Sequence, residues 1–392
     1  MRVLLAHNYY QQTGGEDAVV AAEQALLRRQ GHEVGLFSIT NDEIASLLAK
    51  LMAAWQAPYS VAAKDRLARE LARHRPDVVH VHNFFPLLTP SIYDACREAG
   101  VPVVQTLHNY RLICPGALLM RGGRICEDCV TGSAYQSVMH GCYRGSRLGT
   151  LAVARMVEFH RKRRTWHEKV DRFIALTEFA RSKYIEAGFP EEKIVVKPNF
   201  VTDDSVEEKE NGGQERAGAL FVGRLSAEKG VATLLQAWEK LDIPLRIVGD
   251  GPLRGIVERG GNGLVTPLGQ LPSGEVGIEM RKARFLVMPS ECYEMFGLVV
   301  IEAYSNGLPV IASRLGSMAE LVEDGVTGMH FEAGNSDDLA AKAKWLADRP
   351  EACRRMGDNA RRVYEEKYTP QRNYEILMDI YRQAIETNRG RA

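Results

Sequence analysis

The chain has 392 residues, 45% of them apolar and 26% charged, a soluble globular composition in a chain too long for one ordinary core, so two domains are expected. Fifty Lys plus Arg balance fifty Asp plus Glu, and bulk charge gives no reason to expect a nucleic-acid or polyanionic partner. No apolar run reaches membrane-span length and Met1 leads straight into a strand, while seven cysteines without a secretory leader favour a reducing compartment; the expectation is the cytoplasm or the inner face of its membrane.

Short apolar strands alternate with amphipathic helices. Val3–Ala6 is followed by a helix over Ala18–Arg29, stopped by Gly31. Strands follow at Val34–Phe37, Val78–Val81, Val103–Leu107 and, after a long irregular insert, Phe173–Leu176. A second series runs through Ala219–Val222, Leu245–Val248, Phe285–Met288 and Pro309–Ala312, and the chain ends in amphipathic helices over Glu351–Tyr368 and Gln371–Thr387. Continuous apolar strands separated by helices predict parallel sheets covered on both faces, and two series predict two doubly wound α/β domains. The break falls near Lys197-Pro198-Asn199 and the polar stretch from Asp203 to Arg216.

The loops at the carboxyl ends of the second series hold the chemistry. After Val222, Gly223 permits a turn, and Arg224 and Lys229 precede a helix; two cations there suit a diphosphate, or are simply a tight turn with solvated charges. Gly249 and Gly251 follow the next strand, as in a shared ligand crevice or an ordinary α/β turn. Glu294 lies in the loop after Met288, and Glu302 lies on the helix that starts near Gly297. Two carboxylates at a strand-end crevice suit a polyhydroxylated ligand, because sugar hydroxyls donate and carboxylates accept. In the first series, Gly14-Gly15 is a backbone approach for phosphate or a plain flexible turn, and His108 ends a strand.

Phe221–Gly230, Gly249-Asp250-Gly251-Pro252, Glu294 and Glu302 with seven residues between, Lys197-Pro198-Asn199 and Ser313–Gly328 together resemble the retaining glycosyltransferases of family 4, across essentially the whole chain. The resemblance implies the GT-B fold: two doubly wound Rossmann-like domains facing a central cleft. The first, acceptor-side domain would span 1–195 with a cysteine-containing insert at about 110–145, the nucleotide-sugar domain 196–370, and the helix of 371–392 would cross back. It implies that Arg224 and Lys229 hold the donor diphosphate, Glu294 the donor sugar and Glu302 the ribose, while Gly297 and Leu298 offer backbone donors. His108 would address the donor sugar. By their place at the end of the preceding strand, His80, His82 and Asn83 are expected to line the acceptor side, the alternative being that one of the histidines is only packed in the core. Gly14, Gly15, Asn199, Gly223, Gly249, Gly251 and Phe296 complete the implied substrate-binding set. The family often has Glu one residue beyond the glycine pair; here Glu16 follows directly, so no role is carried to it.

The reaction implied is transfer of a sugar from a nucleoside-diphosphate donor to a glycan or lipid-linked glycan, with retention and no catalytic cofactor, in bacterial surface polysaccharide synthesis. The alternatives are a nucleotide-sugar hydrolase or epimerase of the same architecture and a non-catalytic nucleotide-sugar-binding scaffold. Within the insert, Cys126-Glu127-Asp128-Cys129 is a knuckle flanked by Cys114 and Cys142, a set that suits a structural zinc, with plain reduced cysteines or a redox pair as alternatives. Met156–Trp166 carries four consecutive cations with Phe159 and Trp166; it is either a peripheral membrane contact or a solvated basic face.

Overall fold

The computed structural model describes residues 1–11, 14–44, 46–203, 216–260 and 263–390. Residues 204–215 of the expected linker, and Gln12 and Thr13 of the loop after the first strand, lie outside the described residues. The chain forms two compact units: 1–121, 126–199 and the stretch from Asn373 onward make one, and 122–125 with 200–372 make the other.

The first unit contains β1 (Arg2–Tyr9), α1 (Gly15–Arg29), β2 (Glu33–Thr40), α2 (Leu47–Gln56), β3 (Val78–Asn83), β4 (Val103–Thr106), α3 (Arg147–Lys162), β5 (Arg172–Ala175) and β6 (Ile194–Val196). Its sheet has the order β2-β1-β3-β4-β5-β6, every pair parallel. All six residues of β3 are buried, as expected where helices cover both faces. The order reverses between β1 and β3, and the β1–β3 register slips between Ala6 and His7. That irregularity re-aims the end of β1 beside His82, at the edge where strand-end loops gather.

The second unit contains β7 (Ala219–Val222), α4 (Val231–Trp238), β8 (Leu245–Val248), β9 (Val265–Gly269), β10 (Phe285–Met288), α5 (Leu298–Ser305), β11 (Val310–Ser313) and β12 (Gly328–Phe331). Its parallel sheet runs β9-β8-β7-β10-β11-β12. Alternation along β7 sends Phe221 into one core layer with Trp238 and Phe331, and Leu220 into the other with Leu286 and Tyr304. The last helix, α6 (Pro370–Arg389), packs from Asn373 onward with the first unit.

Two Rossmann-like parallel sheets are as the alternating pattern predicts, and the central strands fall where their apolar runs lie. The edge strands β6, β9 and β12 were not expected. β9 shows why: its residues are half-buried or exposed and include Pro267, which an edge tolerates, so it has no continuous apolar run. The basic stretch also differs from expectation. α3 stops at Lys162, Arg164 adopts a left-handed conformation, and a short helix restarts at Thr165. Trp166 is buried and stacked on Phe84 and Phe189, so it belongs to the core and cannot meet lipid. Arg161 of the same run donates to the carbonyls of Gly132 and Cys129.

Candidate active site

In the second unit the chain winds outward from β7 to β9 in one direction and from β10 to β12 in the other. The loops after β7 and β10 therefore flank the switch point, where open α/β sheets bind ligands. The β7 loop carries Arg224 and Lys229, and the β10 loop carries Glu294. The structure brings the latter two together: Lys229 Nζ lies 2.6 Å from Glu294 Oε1, which also accepts from Ser290 Oγ at 2.7 Å. Ser290 is held in turn by Ser313, whose hydroxyl donates to its carbonyl at 2.7 Å. Burial by itself would lower the Lys229 pKa, but the Glu294 carboxylate outweighs it and holds the ammonium above its ordinary value.

The two loops interlock through backbone as well. Glu291 N–H donates to Glu228 O at 2.9 Å, and Thr233 Oγ1 bonds Glu291 at 2.6 Å. Gly230 has φ +68°, and a Cβ there would stand 1.8 Å from the Pro289 carbonyl oxygen. Gly249, at the end of β8, is pressed as closely against Gly223. Arg224 is exposed and pairs with Glu228 rather than with Glu294. Gly297 caps α5, so Leu298 at its start presents a helical N–H with no intrahelical partner. Glu302 is half-buried in the second turn of α5, and Phe296 packs edge-on to Tyr368 with ring centroids 6.2 Å apart. Gly251 lies half-buried after β8.

In the first unit, the strand-end residues are tied to α1. His7 Nε2 is 2.7 Å from Asp17 Oδ1, and the other oxygen of Asp17 accepts from Gly14 N–H at 2.8 Å. Gly14 thus caps α1, with Gly15 exposed as its first residue. Glu16, to which sequence reasoning assigned nothing, accepts from Asn83 at 3.0 Å and Asn109 at 3.5 Å. Burial and the neighbouring Asp17 push its pKa up to about 8. His80 and His82 are both buried, and His82 lines a small cavity with Asn83 and His108. His82 Nδ1 lies 2.9 Å from His108 Nε2, and His108 is half-buried. Asn199 is buried with its side-chain oxygen unpaired among the described residues.

The four insert cysteines lie in one another's electrostatic field, Cys114 and Cys129 buried and Cys126 and Cys142 half-buried. Four thiols are the donor set of a structural zinc. Among the described residues, the groups with three ligand atoms within 4.8 Å of one another are Glu23–His80–His82 and His7–Glu16–Asp17. No described helix is long and apolar enough to cross a membrane.

The chain matches known proteins along most of its length. Residues 13–205 match the family model described as Glycosyltransferase Family 4, and residues 203–363 match the one described as Glycosyl transferases group 1. The chain is 28% identical to the phosphatidyl-myo-inositol mannosyltransferase of Mycobacterium leprae, over 90% of this chain and 93% of that one. It is 36% identical to an uncharacterized glycosyltransferase of Methanocaldococcus jannaschii, a match spanning 36% of this chain and 41% of the relative. In fold it is similar to Anabaena Alr3699/HepE, solved with UDP-glucose, with a TM-score of 0.66 at 20% identity and 99% of each chain covered. With two Rossmann-like sheets and matches along nearly its whole length, the chain belongs to the family 4 glycosyltransferases of GT-B type.

Proposed function

We propose that this glycosyltransferase is retaining, takes its sugar from a nucleoside-diphosphate sugar, and serves glycan or lipid-linked glycan assembly of a bacterial surface polysaccharide. The observation that carries the donor assignment is the Lys229–Glu294 pair at the switch point of the second sheet. A fixed ammonium beside a carboxylate matches a ligand whose diphosphate is anionic and whose adjoining sugar offers hydroxyl donors. In the reaction, the bond from the anomeric carbon to the diphosphate oxygen breaks and a bond to the acceptor oxygen forms on the same face. The departing diphosphate takes the acceptor proton. Lys229 and Arg224 stabilise the charge that grows on it. A two-carboxylate glycoside hydrolase has no use for a diphosphate cradle.

The test is a thermal-shift screen of nucleoside-diphosphate sugars, followed by NMR of the product formed with the best binder. A stabilising donor and a product with the donor's anomeric configuration are expected. No shift with any nucleotide sugar removes the donor assignment, and an inverted product removes retention.

A membrane location for the acceptor rests on α2 and α3, not on Trp166. Leu48, Leu51, Met52 and Trp55 form one helical stripe on α2, and all four are exposed, Trp55 by 73%. Leu148, 79% exposed, and Leu151 continue the apolar surface on α3, and Arg155 lies over the Trp55 ring at 5.1 Å. α2 contains no acid, and the single acid of α3, Glu158, is buried, whereas Lys50 and Arg147 are exposed. An apolar stripe with cations and no exposed acid on its helices matches an anionic bilayer, each cation adding about 1 kcal/mol at such a surface. The full chain is expected to co-sediment with phosphatidylglycerol-containing vesicles. Trp55→Glu with Leu148→Glu should abolish this while leaving the melting temperature unchanged. Wild-type protein that stays in the supernatant overturns the assignment.

A further inference from the structure

Beneath His108 runs a line of buried polar groups that the donor chemistry does not use. Glu23, from the inner face of α1, is 1% exposed and stands against both histidines of β3. Its Oε1 lies 2.9 Å from His80 Nδ1 and 3.2 Å from His82 Nε2. Its Oε2 lies 3.2 Å from the ammonium of Lys197, which also donates to Asn373 Oδ1 at 3.0 Å. His82 faces His108 through its other nitrogen at 2.9 Å, with the two rings stacked. His7 stands edge-on to His82 and is itself engaged by Asp17. Lys197–Glu23–His82–His108 is therefore a continuous path from a buried ion pair to a half-buried ring at the strand ends.

Glu23, His80 and His82 also have the spacing of a metal triad. Two observations speak against an ion there. The Lys197 ammonium already supplies the positive charge, and both nitrogens of His80 lie within hydrogen-bond distance of hydroxyls, 2.8 Å from Tyr381 and 2.7 Å from Thr106. What remains is a question of protons. Glu23 Oε1 and His82 Nε2 are close but off the line of a formal hydrogen bond. A carboxylate this near repels a nitrogen lone pair and favours N–H, so His82 carries its proton on Nε2 and exposes a lone pair at Nδ1. His108 must then donate from Nε2, which leaves its Nδ1 as an acceptor. That atom meets no protein partner among the described residues.

We propose that Glu23 and His82 are positioning residues that lock His108 in the Nε2–H tautomer and so turn its free Nδ1 into an acceptor for a sugar hydroxyl. The surroundings keep the path in this state. Burial opposes the Glu23 charge, but the Lys197 ammonium beside it leads the interactions that outweigh burial and hold the carboxyl well below its usual range. Burial and the neighbouring His80 bring His82 down to about 4, and burial with His82 and His7 likewise keeps His108 neutral. The sugar ligand rests on the transferase reading above, whereas the tautomer does not.

Long-range proton–nitrogen correlation of the full chain labelled with nitrogen-15 histidine tests this, with His108 assigned by its loss in His108→Asn. The wild type should show the Nε2–H pattern at His108. Glu23→Gln should convert it to a tautomer mixture and lower turnover by at least about tenfold, a wrong histidine tautomer being costly in catalysis. Because Glu23→Gln leaves Lys197 buried without its counter-charge, Glu23→Gln with Lys197→Met is the second variant, and the same mixture is expected there. An Nδ1–H pattern in the wild type, or an Nε2–H pattern indifferent to either variant, overturns the proposal. The tautomer readout requires no turnover, so failure of the transferase reading would appear separately, in the nucleotide-sugar screen.

Discussion

Replacing Lys229 with alanine is expected to reduce sugar transfer by about 10²–10³-fold, the usual cost of deleting one preorganised charge-stabilising group. It should also weaken nucleoside diphosphate binding. Glu294→Gln should behave differently: transfer falls, but the diphosphate binds as tightly as before or more tightly. The structure supplies the reason. Lys229 and Glu294 sit 2.6 Å apart, so in the absence of donor each is the other's counter-charge. A diphosphate must draw the ammonium away from the carboxylate, and neutralising Glu294 removes that competition. Isothermal titration with UDP and GDP, alongside kcat and KM for the best donor, separates the two variants. If Lys229→Ala binds and transfers like the wild type, the pair is only a structural ion pair and the donor site lies elsewhere.

Gly230→Ala is expected to destabilise the second unit by about 3–5 kcal/mol, lowering its Tm by roughly 10 °C or more for a unit of this size. The left-handed backbone at φ +68° accounts for only about 1 kcal/mol of this. The rest comes from a Cβ placed 1.8 Å from the Pro289 carbonyl oxygen and 2.7 Å from its carbon, both backbone atoms that cannot turn aside as a side chain would. Gly31→Ala is the matched control. It also has positive φ, +81°, but no atom lies within 4 Å of its added Cβ, so only the small conformational cost should appear. Calorimetry showing equal, small shifts for the two variants would mean that the β7 and β10 loops are not pressed together as described.

The loops proposed to hold the donor could be placed from the sequence because their determinants are local. Arg224, Lys229, Glu294 and Glu302 lie within short segments that pair a strand end with a helix start, and the apolar runs of β7 and β10 place those segments side by side. The line of buried polar groups beneath His108 was not legible, because its members meet only through the fold: Glu23 is 174 positions from Lys197. Glu16 was passed over because its spacing from Gly14-Gly15 departs from the family pattern; its burial beside Asn83 and Asn109 is a tertiary fact. Trp166 misled for a related reason. Four cations precede it in the chain, yet its stacking partners Phe84 and Phe189 come from other segments. The α2 stripe at Leu48, Leu51, Met52 and Trp55 has helical spacing that could be read directly, but such stripes ordinarily face a core. Only the exposure of these side chains shows that this one does not.

α6 has a consequence at the level of the gene. Its Asn373 holds Lys197 at 3.0 Å and donates to the Pro198 carbonyl at 2.7 Å, and its Tyr381 reaches His80 at 2.8 Å. The buried centre of the first unit is thus completed by residues 176 positions after Lys197 and 301 positions after His80. A recombination event that exchanged only codons 1–200 would separate Lys197 and His80 from these partners. Shuffling among relatives is therefore constrained to exchange 1–199 together with the stretch from Asn373, whereas the second unit between them can be exchanged as one insert.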